Sequence, residues 1–492
     1  MIFVESVYTS ILRDKKVCFL SLGCKVNAYE TEVFRSRFEE HGAVTVSFEE
    51  GGADIVVINT CSVTNIADRK SRQMLHRARK LSPDAVIVAA GCYVQAVGEN
   101  AVKGSDADAA VGNERKDAIV EAAVEALLER NRRSDCVRND GIVPENETAG
   151  SDLGKTETED RDTAGKKDQK ETKVRNSCHE RTRAFIKVTD GCNQFCAYCI
   201  IPYVRGRVRS RSIEDVVNEV AELEKEGYKE VVITGIHLSS YGVDFPEVSA
   251  NYEKAVAEGF SGEHLLKLID EISGIQGIER IRLGSLEPRI ITEDFMERIK
   301  NNPKVCPHFH LSLQSGSDSV LKRMKRHYGT KDYENACSII REAYYQPSIN
   351  TDIIVGFPGE TGDEFMETVE FAKKIGFAKI HIFKYSRRKG TLADKMPDQI
   401  TEEIKNERSS ALGEIDIENH RKYISGFIGK HVRILTEQEE TVDGKTMMTG
   451  LTERYVKVAI DHSRDGISQN TFVECEITGV SDDGILIGRI DR

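Results

Sequence analysis

The 492-residue chain has no tryptophan, few aromatic residues (7%) and no uninterrupted apolar stretch of bilayer-spanning length. It is therefore not expected to span a membrane. Its opening residues, MIFVESVYTSILRDKK, lack the basic start, apolar middle and small-residue cleavage site of a signal peptide. The expected location is cytoplasmic. There the 12 cysteines stay reduced, so clustered ones point to metal binding or catalysis rather than to disulfides. A net charge of -12 argues against a protein that coats nucleic acid over its whole surface. Basic clusters at 68–80, 205–211 and 321–327 stand out locally against that acidic background.

A chain of this length exceeds one compact core, and its texture changes along its length. Within 1–130, a β-branched apolar run, a cysteine and a helical stretch recur three times, as VCFLSLGC, ADIVVINTC and AVIVAAGC. Near-continuous apolar runs separated by helices imply a parallel sheet covered on both faces. Cys24, Cys61 and Cys92 then share the carboxyl edge of that sheet, the edge where ligands bind in open parallel sheets. Structural cysteines would sit inside the strands instead.

Segment 131–182 has no aromatic residue and little apolar periodicity, so it reads as a disordered linker whose Cys136 and Cys178 are incidental. Residues 183–400 alternate strand and helix patterns six times, which indicates a partial (β/α)6 barrel, with 243–262 as a surface insertion. A charged helix at 401–422 leads to 423–492, where short strands and Gly, Asp and Asn turns suggest a small antiparallel, OB-like β-barrel. The fold class is α/β with that β-barrel appended.

The strongest motif is DGCNQFCAYCIIPYVRG, which places Cys192, Cys196 and Cys199 at C-x3-C-x2-C spacing after the first barrel strand. Three thiolates hold three irons of a cubane and leave the fourth open to a chelating molecule. Zinc would need a fourth Cys or His close by, and none adjoins the loop. Cys18, Cys306, Cys337 and Cys475 read as packing residues, and His237, His308 and His310 as core or substrate-lining.

The spacing resembles the radical S-adenosylmethionine (SAM) superfamily. The order of the three parts resembles its methylthiotransferases over nearly the whole chain. LGCKVNAYETE is similar to the branch acting on threonylcarbamoyladenosine, because Lys25 and Val26 differ from the GCQMN and GCPKN of the sibling branches. The resemblance implies two [4Fe-4S] clusters, a radical-SAM cluster on Cys192, Cys196 and Cys199 and an auxiliary cluster on Cys24, Cys61 and Cys92. It implies SAM contacts at Tyr198, Gly235, Ser285, Glu287, Gln314, Asp352 and Gly356, on segments such as LSLQSGS and DIIVGFPGE. It also implies a C-terminal TRAM module and tRNA anticodon-stem contacts by Arg69, Lys70, Arg72, Arg205, Arg207 and Arg209. Two SAM, an electron donor such as flavodoxin or ferredoxin, and a sulfur donor would serve methylthio transfer to carbon 2 of N(6)-L-threonylcarbamoyladenosine. The long linker, the 243–262 insertion and YSRRKGTLADKM depart from the family pattern. Alternatives are a sibling substrate, isopentenyladenosine or a ribosomal-protein aspartate, and a non-catalytic iron–sulfur RNA-binding protein.

Overall fold

The computed structural model describes residues 2–103, 105–139, 182–248, 260–461 and 466–490. Most of the 131–182 segment, Cys178 included, the Cys136 side chain and the middle of the 243–262 insertion lie outside them.

After helix α1 (Ile2–Leu12), five parallel strands form the first sheet: β1 (Lys16–Ser21), β2 (Val44–Thr45), β3 (Ile55–Thr60), β4 (Val86–Gly91) and β5 (Ala109–Val111), in the order β2-β1-β3-β4-β5. Strands β3 and β4 are buried at every position, because helices cover both faces; their uninterrupted apolar spelling follows from that. Each strand feeds a helix: α2 (Lys25–Glu40) after β1, α3 (Asn65–Leu81) after β3 and α4 (Cys92–Val97) after β4. A further helix, Ile119–Asn139, runs past residue 130 into the segment read as linker. That stretch holds Leu, Glu, Arg and Asn but no Gly or Pro before Gly141, so nothing in it stops a helix.

The central part has six parallel strands: β6 (Arg183–Asp190), β8 (Glu230–Gly235), β9 (Arg280–Leu283), β11 (His308–Gln314), β12 (Ser348–Val355) and β13 (Lys379–Lys384). Two short strands, β7 (Arg209–Ser210) and β10 (Ser285–Leu286), flank them, and the hydrogen-bonded orders are β7-β6-β8-β9 and β10-β11-β12-β13. A bridge between Ile281 and Val305 joins the two sheets across the seam. Alternate residues such as Ile186, Val188, Val231, Ile233, Leu311 and Ile353 pack outward against the helices in one large core. The intervening positions therefore face the lumen; some are apolar, such as Phe185 and Val232, but many are polar, among them Arg183, Lys187, Glu230, Arg282, His308, His310 and Asp352. A lumen of that composition is built for a polar ligand.

The last part is a closed barrel of β14 (His431–Val442), β15 (Lys445–Thr452), β16 (Lys457–Ile460), β17 (Phe472–Val480) and β18 (Leu486–Ile490). Its pairs are antiparallel except β16 with β18, which the purely antiparallel expectation missed. This barrel caps the strand-entry end of the central one. Arg280 donates to the Leu451 and Arg433 carbonyls (2.9 and 2.6 Å), and Arg282 to those of Glu453 and Thr452 (2.8 and 3.2 Å). Tyr455 enters the lumen floor, 4.7 Å from the Arg282 guanidinium and 5.0 Å from the His308 ring. Among the described residues no helix is long and apolar enough to cross a membrane.

Candidate active site

The loop after β6 carries Cys192, Cys196 and Cys199. Cys192 and Cys196 are buried and Cys199 half-buried. Backbone bonds pin the loop at both sides of the barrel mouth: Ala197 N–H donates to the Met324 carbonyl (2.9 Å), and Ala393 N–H to that of Ala197 (2.8 Å). The sulfurs already face donors. Gln194 N–H points at Cys192 Sγ (3.5 Å), and Arg326 Nη1 stands 3.1 Å from Cys196 Sγ. Burial pushes the Cys192 thiol up to about 12 despite the Gln194 N–H, so it ionises only when a cation replaces its proton.

Cys61 and Cys92 lie immediately past β3 and β4, and Cys24 follows β1 after Leu22 and Gly23, as the residue preceding α2; Cys92 is the first of α4. Two glycines make this crowding possible. Gly23 has φ +100°, and a Cβ there would stand 2.7 Å from Cys61 Sγ. Gly91 has φ +96°, and a Cβ there would strike the Asn59 side chain and the Thr60 carbonyl. Burial pushes Cys61 up to about 11, with the Val63 N–H opposing it.

Among the described residues no three His, Cys, Asp or Glu groups close around a single ion. The thiolates of a cubane each bind a different iron and need not converge on one point. Both donor sets, all-thiol and faced by N–H donors or guanidinium groups, fit such a cluster.

The two sets share a wall. Ile200, Ile201 and Val204, directly after Cys199, pack on Cys92. Asn113 Nδ2 donates to the Val204 carbonyl (2.7 Å) and lies 3.7 Å from Cys92 Sγ. Arg205 completes the contact with Nε 3.3 Å from that sulfur. Its remaining nitrogens bind Glu30 (2.9 and 3.2 Å), Asp190 (3.0 Å) and Asn27 (2.7 Å), and Lys116 and Lys187 also bind Glu30. With Arg209 also 3.8 Å from Asp190, four cations thus face two carboxylates, and one of them, Arg205, lies beside Cys92.

This corrects the assignment of Arg205 to tRNA. Its side chain is fully buried, because Glu30 of α2 and Asp190 of β6 draw it into the interface between sheet and barrel. Arg207 and Arg209 are exposed, as are Arg69, Lys70 and Arg72 on α3. The 321–327 stretch is likewise engaged in part, since Arg323 pairs with Glu364 (2.7 Å) and Arg326 turns to Cys196.

The positions expected to hold SAM lie mostly along the strand ends. Gly235 and Gln314 end β8 and β11, Gln314 at φ +74° beside a register shift. Ser285 bonds Ser312 (2.8 Å). Burial would raise the Glu287 carboxyl, but hydrogen bonds from His237 and Arg289 bring it down to about 2. Tyr198 packs beside Phe357 and Tyr385. Asp352 lies deeper, mid-strand, paired with His310 (3.0 Å). Gly356, just after β12, has the Lys405 stem over one face, which closes that side to a ligand.

Three features escaped sequence reading. Arg388, in the segment that departs from the family pattern, is buried and reaches across to Ser62 (2.6 Å) and Asp68 (2.7 Å), bracing the residue beside Cys61. Arg326 stood within a basic run with no mark to distinguish it. Phe195 and Tyr203 meet edge to face at 5.7 Å, with Tyr203 54% exposed and the Arg207 guanidinium 4.5 Å from the Phe195 ring. Aromatics interleaved with arginines in CNQFCAYCIIPYVRGR were the available signal for this last group.

Comparison with known proteins accords with this arrangement. Residues 186–372 match the Radical SAM superfamily and residues 16–112 the Uncharacterized protein family UPF0004. A threonylcarbamoyladenosine tRNA methylthiotransferase of Aquifex aeolicus is 37% identical over 92% of this chain and 98% of its own length. The Bacillus subtilis protein of the same name is 36% identical over 92% of both. A tRNA-2-methylthio-N(6)-dimethylallyladenosine synthase of Acetivibrio thermocellus is 34% identical over 89% of this chain and 84% of its own. With a cysteine-rimmed sheet, a three-cysteine partial barrel and near full-length likeness to these enzymes, the chain belongs to the radical SAM methylthiotransferase family.

Proposed function

We propose that the protein adds a methylthio group to carbon 2 of N(6)-L-threonylcarbamoyladenosine beside the tRNA anticodon. The observation that carries this is the wall Ile200–Arg205, directly after Cys199, which packs on Cys92. The names of the most similar relatives supply the substrate. In this reading Cys192, Cys196 and Cys199 hold one [4Fe-4S] cluster and Cys24, Cys61 and Cys92 the second. Bound there with SAM, the clusters supply the one-electron chemistry that a ring C–H without an acidic proton requires. Tyr198, Gly235, Ser285, Glu287 and Gln314 would line SAM along the strand ends. The protein's own part is to hold the thiols, to pack Ile200 and Val204 between the two sites so that water stays out, and to set positive charge beside Cys92 through Arg205. An electron donor of the flavodoxin or ferredoxin class, a sulfur donor and a cytoplasmic setting complete the reading.

RNA would be gripped by Arg69, Lys70 and Arg72 and by Arg207 and Arg209, with the Phe195–Tyr203 pair as a platform for an unstacked base. Replacing Arg69 and Lys70 together with Glu is expected to lower the slope of log affinity against log salt by about 2 for an anticodon stem-loop. An unchanged slope removes both residues from the phosphate contacts.

The substrate is tested with reconstituted protein, SAM, dithionite and stem-loops carrying either threonylcarbamoyl- or isopentenyladenosine. Mass spectrometry should find the methylthio product on the first alone. Product on the second instead would transfer the protein to the sibling reaction.

A further inference from the structure

All three parts of the molecule border one cavity of about 510 Å³. Cys24 and Lys25 come from the first sheet, Arg183 from β6, and Glu437, Glu440 and Lys457 from the C-terminal barrel. This volume suits a nucleoside-sized ligand, and one wall carries a cysteine of the auxiliary set.

The charges around it are paired with one exception. Glu437 is bound by Arg183 (2.8 Å), and both oxygens of Glu440 by Lys457 (2.6 Å each). Asp352, farther into the lumen, is held by His310 (3.0 Å). Lys25 makes no ion pair among the described residues; its half-buried ammonium stands 5.8 Å from the Tyr455 ring, which Arg183 and Arg282 also approach. A partly desolvated cation beside two guanidinium groups is unfavourable until an anion joins it.

We infer that Lys25 binds the carboxylate of the threonylcarbamoyl group and thereby selects the substrate. This rests on the substrate reading above. The free carboxylate is the anion that this modification adds to adenine. Carbon 2 and carbon 6 of the purine both flank N1, so a base that presents carbon 2 toward the Cys24 set carries its N6 substituent toward the neighbouring wall, where Lys25 stands. An uncharged isopentenyl group would leave the ammonium unpaired, which turns the same residue against the sibling substrate.

The test measures fluorescence-anisotropy affinities of cluster-loaded protein, without SAM, for three stem-loops: threonylcarbamoyl, its methyl ester and unmodified adenosine. Wild type should prefer the first over the other two by about tenfold, the usual loss when a hydrogen bond to a charged group is removed. Lys25→Gln should bring that ratio to near one, and Lys25→Arg should restore most of it. The ester arm, read on wild type, holds even if a variant folds poorly. Preference kept by Lys25→Gln, with or without loss of iron, overturns the inference and assigns the ammonium to the cluster or the fold. A wild-type protein blind to the whole modification would overturn the substrate reading instead, whereas equal affinity for ester and acid overturns carboxylate recognition alone.

Discussion

Cys61→Ala protein, reconstituted under anaerobic conditions, is expected to hold about four irons in place of about eight and to release 5′-deoxyadenosine from SAM while forming no methylthio product. The separation follows from where the thiols are anchored. Cys61 belongs to the rim of the first sheet, pressed against Gly23 and bonded through its backbone to Ser71. The Cys192 loop is held by Met324 and Ala393, two residues of the barrel, and keeps its own donors. Cys192→Ala should give the converse, about four irons retained on the rim and no SAM cleavage. Iron analysis and chromatography of the cleavage product read both outcomes. Methylthio transfer by the Cys61 variant would remove the rim set from the reaction.

Arg205→Leu is expected to cost about 3–5 kcal/mol of stability, the usual penalty for stripping one partner from a buried ion pair. Glu30 would keep only the two lysines, and Asp190 only Lys187 and the more distant Arg209 (3.8 Å), without the buried planar fork that satisfies several acceptors at once. Burial by itself would raise the Glu30 carboxyl; Arg205 first, then Lys116 and Lys187, holds it well below the usual range. A carboxyl depressed in the folded state stabilises above its unfolded pKa, near 4, and loses that contribution as pH falls below it. Wild type should therefore lose stability below about pH 4, whereas the variant, less stable at pH 7 and with Glu30 held down less, should lose less over the same acid range. Denaturant titrations of the iron-free proteins at pH 7 and at about pH 3 measure both effects. A difference under about 1 kcal/mol at pH 7 would mean that the network contributes no net docking energy.

These expectations depend unequally on the sequence. The outward core of the central barrel was legible because every second residue of β6, β8 and β11 is apolar, and period-2 alternation is a local property. The three rim cysteines were legible for a different local reason, since each follows a near-continuous apolar run. Arg205 was misread because RGRVRSR spells a uniform basic cluster, and only partners distant in the chain separate the buried guanidinium from its exposed neighbours. Glu30 lies 175 positions away and Cys92 113.

By itself, then, the sequence determined the thiol sets, the strand ends that bear them and the order of the three parts, because spacing and periodicity act within a few residues. Only the tertiary structure decided that Ile200–Arg205, which follows Cys199, packs on Cys92 and that Arg388 braces the rim beside Cys61. It alone left Lys25 without an ion pair among the described residues, in a cavity bordered by all three parts. Charge compensation is the physical reason. Whether a lysine or arginine is solvated, paired or waiting for an anion depends on which carboxylates the fold brings within about 4 Å, and residue order does not encode that distance.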